Sequence, residues 1–261
     1  MAIYTCREMT RDCRGNLAEG WSYLISYYLP MIRRLLAHYY PGRDQALLAG
    51  VMKRLHDPTL PLYGADAPIT DREWVAALRL QVIDGVEGTD APASDLDLET
   101  LTAAFEEFTA TERQFLWLST MAYSLEETAL MMNLEASTIG KARERAEEAL
   151  RGKLDSWKRG LLTTNGHGLC NLARAARGEK CLLSKAYIDM LDGRITWAQK
   201  RDYEFHMVRC WHCVDVCCRI RESDHVVKVS KPLTPEEAAP FRAQLGLPEV
   251  KPKKGFFKFL S

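Results

Sequence analysis

The chain has no net charge to speak of: thirty-five Lys and Arg are matched by thirty-five Asp and Glu among its 261 residues. A uniform basic field of the kind that gathers a protein onto nucleic acid is therefore excluded, and any such contact must come from a local patch. A run of eighteen apolar residues is also lacking, so no membrane span is expected. The opening MAIYTCREMTRDCRGN carries charges where the apolar core of a secretory signal would lie, and the expected location is cytoplasmic. Convincing period-two alternation and internal repeats are both missing. So are catalytic carboxylate pairs, a Ser-His-Asp set and a phosphate loop. Glu106-Glu107 and Glu126-Glu127 read as helix-surface acids, and no enzyme is expected.

What the chain does have is helical periodicity in a composition that is 47% hydrophobic, enough for one large domain or two to three small ones. Apolar residues recur at helical spacing from Leu17 to Leu55, interrupted at Pro30 and at Pro41-Gly42. Thr70 with Glu73 forms a capping box ahead of a helix to Gly85. A small, acidic stretch at 91–99 reads as a linker. Further helices follow over Thr111–Met121 and, from the capping box Ser124-x-x-Glu127, to Met132. A short turn at Asn133-Leu134-Glu135 then precedes a long helix to Leu154, which is a helix-turn-helix pattern. The predicted layout is all-α: a helical domain at 1–90, a helix-turn-helix domain at 100–160, a polar linker at 161–178, a compact module at 179–225 and a tail at 226–261. That tail holds one short helix, Thr234 to Leu245.

Eight cysteines without a secretory signal suit a metal site better than a disulfide framework, and four of them crowd between Cys210 and Cys218. His206-x3-Cys210-x2-Cys213 supplies three ligands, with His206 and Cys210 at i, i+4 on one helix face. Cys181 returns as the fourth through a hairpin turning at Leu191-Asp192-Gly193. Three thiolates and an imidazole suit zinc, and four protein ligands leave no open position, so the site is expected to be structural. Cys217 and Cys218 admit two readings, small core residues or accessory thiols beside the metal for ligand exchange or redox sensing. His212 is expected to face solvent, and His225 is a spare ligand candidate.

Cys181, the turn Tyr187-Ile188-Asp189-Met190-Leu191-Asp192-Gly193, and His206-Met207-Val208-Arg209-Cys210-Trp211-His212-Cys213 together resemble the zinc-binding anti-sigma factor domain. The remainder resembles its partner. Tyr28 to Leu55 with Trp74-Val75-Ala76-Ala77-Leu78 is similar to the first domain of extracytoplasmic-function sigma factors, and Leu101 to Leu154 to their second. The resemblance implies a bacterial transcription regulator whose partners are core RNA polymerase and promoter DNA, tuned by its own zinc module or by a regulatory protein. Ser137, Thr138, Lys141, Arg143 and Arg145 would be the DNA-facing residues.

Two departures favour an alternative, a sigma-like scaffold or regulatory subunit in a stress or defence system that binds neither polymerase nor promoter. Where the family carries Asp-Leu-x-Gln-Glu-Val for polymerase, this chain reads Ala46-Leu47-Leu48-Ala49-Gly50-Val51. From Pro61 to Thr100, where the family is basic, two arginines face nine acids. The basic-aromatic end, Lys251 to Leu260, reads either as a docking tail for a partner or an anionic membrane surface, or as a disordered terminus.

Overall fold

A computed structural model describes residues 4–64, 70–84, 97–164 and 166–248. Among them every regular element is helical, so the chain is all-α. Most of the expected 91–99 linker, and all of Lys251–Leu260, lie outside the described residues. The chain divides into two compact units, 1–86 joined by 226–261, and 87–225.

The first unit holds α1 (Cys6–Arg14), α2 (Ala18–Tyr23), α3 (Leu29–Tyr39), α4 (Asp44–Leu55) and α5 (Asp71–Asp84). Its core is built on Trp21, Ile25, Leu29, Ile32, Leu36 and Trp74. Close packing of α1 on α2 depends on Gly20, where a Cβ would lie 2.6 Å from the Cys13 nitrogen. Between α2 and α3 the helix widens into one π turn over Leu24–Tyr28. Pro30 explains this. It has no N–H to give the Ser26 carbonyl four residues back, so the regular ladder is interrupted and that carbonyl is orphaned.

The orphan is satisfied from far along the chain, because the Leu233 N–H donates to the Ser26 carbonyl at 2.8 Å. The expected tail therefore belongs to this unit. Val226 and Ala238 are buried in its core, with Leu233 and Phe241 packed on its edge. The predicted short helix is α15 of the chain, Pro235–Gln244, capped by Thr234 with Glu237.

The second unit runs through α6 (Leu98–Ala104), α7 (Ala110–Thr120), α8 (Leu125–Met132), α9 (Ala136–Lys153), α10 (Ser156–Thr164), α11 (Gly166–Ala175), α12 (Ser184–Leu191), α13 (Trp197–Met207) and α14 (Trp211–Val229). The boundary between units falls inside α14, after His225. A short turn joins α8 to α9. Ser124 and Glu127 form the capping box of α8, and Asn133 closes α8 in the left-handed conformation at φ 53°. The Leu134 N–H bonds back to the Ala129 carbonyl, the wrap that ends a helix sharply.

Residues 161–178, expected as a polar linker, are instead mostly helical. Leu169 and Ala173, four residues apart, form a fully buried edge of α11, with Cys170 buried beside them. The helix-turn-helix segment and the Cys/His segment therefore share one compact unit, where two modules had been expected.

Cutting the chain after Ser230 removes the donor to Ser26 and uncovers the apolar edge of the first unit. One unmade hydrogen bond plus the exposed side chains should cost that unit about 2–4 kcal/mol. Hydrogen exchange at α3 amides measures it; unchanged protection there would show that the C-terminal segment does not brace this core.

Candidate metal centre

Cys181 precedes α12, in a turn where the Gly178 N–H donates to its sulfur at 3.2 Å. The Leu191-Asp192-Gly193 turn, with Gly193 in the left-handed region at φ 69°, then sends α13 back alongside. His206 sits in the last turn of α13. That helix ends at Met207, so His206 and Cys210 do not share a helix face as their spacing suggested. A tight turn separates them, the Arg209 N–H bonding to the His206 carbonyl. Cys210 opens α14, its carbonyl accepting from the Val214 N–H, and Cys213 lies in the first turn.

The two helix ends and the loop converge. The ligand atoms of Cys181, His206, Cys210 and Cys213 all lie within 4.8 Å of one another, and this Cys3His cluster can hold a metal ion. The Cys181 and Cys210 sulfurs are 3.5 Å apart, and His206 Nε2 is 3.2 Å from the Cys213 sulfur. All eight cysteines are free thiols. The Cys213 thiol and backbone N–H, together with the Cys181 thiol, pull the Cys210 thiol down to about 4, and the Cys210 charge pushes Cys213 upward in turn. Without a cation one negative charge must be shared among the donors; a bound cation allows more than one thiolate to persist.

Around the cluster, Tyr187 is fully buried, and burial followed by its contact with Cys213 keeps the phenol protonated. His212 is not at the surface as expected. It is buried, with Nδ1 3.3 Å from the Arg174 carbonyl at the end of α11. His225 is not among the four clustered ligands.

Cys217 and Cys218 are fully buried about one turn beyond Cys213 along α14, outside the ligand set. Cys217 donates to the Gln114 side-chain oxygen and Cys218 to the Gln114 backbone carbonyl, each at 3.4 Å. Burial raises both thiols, which favours the core reading over a reactive one.

Residues that sequence reasoning passed over bind α14 to α7. The Trp117 indole N–H donates to Asp215 at 3.1 Å, and Arg219 pairs with the other oxygen of Asp215 at 2.8 Å. Arg221 donates to Gln114 at 2.9 Å and to the Met131 carbonyl at 3.1 Å, and the Tyr123 hydroxyl donates to the buried Glu222. Arg113 stacks over Trp211, 5.0 Å from the ring centroid, and burial draws its guanidinium down to about 10. The available signal was the unusual polarity of α7, Glu112-Arg113-Gln114 amid aromatics, all three of which are buried.

The five DNA-facing candidates all sit on α9. Ser137, Thr138 and Lys141 are exposed. Arg143 is paired with Glu147 at 2.9 Å, and Arg145 with Glu112 of the α7 capping box. Among the described residues no helix is long and apolar enough to cross a membrane. Comparison with protein-family models, with curated proteins and with solved structures finds no match to the chain.

Trp117→Phe keeps the aromatic packing but removes the indole donor to Asp215. It should cost the second unit about 1–3 kcal/mol, read as a lower urea midpoint, with the first unit unaffected. An equal loss in both units would contradict the division of the chain.

Proposed function

We propose that the chain is a sigma-like transcription regulator whose helix-turn-helix unit is held in shape by a structural zinc. The observation that carries this reading is that α14 begins with two metal ligands and continues as the buried partner of α7, the helix that supports α8 and α9. Metal occupancy and the geometry of the helix-turn-helix are then one folding equilibrium. Zinc is the ion of choice: a tetrahedral site with Zn–S bonds of about 2.3 Å places sulfurs about 3.8 Å apart, near the 3.5 Å separation of Cys181 and Cys210. The cytoplasm, with its reduced thiols, suits such a centre.

One zinc per chain is expected. Cys210→Ser or His206→Ala should release it and lower the melting temperature of the whole second unit, well beyond residues 181–225, while the first unit stays folded. Metal analysis with thermal unfolding checks this, and an unchanged melt in either variant would refute a structural metal. For function, the zinc-loaded chain should be retained by bacterial core RNA polymerase in a pull-down; failure to bind would remove the transcription reading.

A second reading, an interaction scaffold without promoter binding, rests on a specific observation. Arg143 and Arg145 are each matched to a carboxylate, which reduces the charge on α9 that could release counterions from DNA. The exposed side of α4 is also reduced to Ala46, Ala49 and Gly50 where polymerase contacts would stand. On this reading promoter-like duplex binds no better than random duplex, measured by anisotropy across a salt series. A salt-sensitive preference for promoter sequence would decide for the first reading.

A further inference from the structure

The outward face of α13 carries a row that neither the metal centre nor the helix-turn-helix uses. Trp197, Arg201 and Phe205 follow at four-residue steps on the helix, spanning roughly 12 Å at about 1.5 Å per residue, and Arg209, in the turn just after α13, continues the row over Phe205. Met207, on the opposite side, is fully buried and anchors the helix. Trp197 is 74% exposed and Phe205 63%, unusual for large aromatics on a folded surface. Each ring has an arginine over it, Arg201 at 5.2 Å from the Trp197 centroid and Arg209 at 3.9 Å from that of Phe205. The row is thus ordered as aromatic, cation, aromatic, cation.

An alternating row of this kind is complementary to itself when reversed. Laid antiparallel against a second α13, Trp197 meets the other copy's Arg209 and Arg201 meets its Phe205. The same pairs recur on the far side of a two-fold axis, as an isologous interface requires. Each guanidinium then has an aromatic face on both sides, and Trp and Arg are the residue types that dominate binding energy at interfaces. Flanking charges argue against a polyanion as the occupant. Asp202 and Glu204 border the row and sit 3.7 Å from Arg201 and 3.8 Å from Lys200, so a phosphate chain along it would meet carboxylates.

We propose that this face of α13 is a self-association surface, and that its partner is a second copy of this chain in antiparallel register. The four side chains bury on the order of 500 Å² per copy, at the low end of specific interfaces, so the dimer is weak and concentration-dependent. The proposal does not depend on polymerase or DNA binding.

Sedimentation of the full-length, metal-loaded chain between about 5 and 500 µM tests it. The weight-average mass is expected to climb from 29.7 kDa toward two chains. Trp197→Ala, or Arg201→Glu with Arg209→Glu, should weaken association at least about tenfold. Circular dichroism and metal content establish that each variant is folded. A single-chain mass at every concentration, or association indifferent to these substitutions, overturns the proposal. So does quenching of Trp197 fluorescence by a twenty-nucleotide oligothymidylate at concentrations where the chain is monomeric, which would assign the row to single-stranded nucleic acid.

Discussion

The second unit depends on the seam between α7 and α14. Along it Trp117 and Gln114 of one helix meet Asp215, Cys217, Cys218 and Arg221 of the other, and the polar atoms named are paired across the contact. A buried seam of this type is costly to open, because each separated donor or acceptor would be left without water or partner. Its placement has a chemical consequence. The helix that forms one side of the seam begins with Cys210 and Cys213, so the ligand cluster is anchored to the core that supports the helix-turn-helix.

The first unit is organised around a missing hydrogen bond. Pro30 deprives Ser26 of its helical partner, and a segment two hundred residues later in the chain supplies the donor through Leu233. An orphaned carbonyl at a helix interruption is a directional, local demand, and the chain meets it with the approach to α15. The apolar contacts of Ala238 and Phe241 then follow from the position that this bond sets.

The charge balance that opened the sequence acquires a spatial meaning. On α9, the two arginines expected to face DNA are each held by a glutamate, one on the same helix and one at the capped start of α7. On α13 and the turn that follows it, by contrast, Arg201 and Arg209 lie over aromatic rings at the surface. Equal totals of acid and base thus conceal two different uses of arginine, neutralised where nucleic acid was expected and displayed on the ridge of α13.

Much was legible in the one-dimensional chain. Helix starts were written in local chemistry, as Ser124 with Glu127 and Thr70 with Glu73 illustrate, because a cap is satisfied within four residues. The Cys3His cluster was legible for a related reason, since soft donors at short spacing have few other uses. Tertiary structure alone decided that Cys217 and Cys218 are core thiols, that His212 is buried, that α11 replaces a polar linker, and that the C-terminal segment closes the first core. Those outcomes depend on partners about forty to two hundred residues away, Gln114, Arg174 and Ser26 among them, and no periodicity records which distant polar atom a buried group will meet.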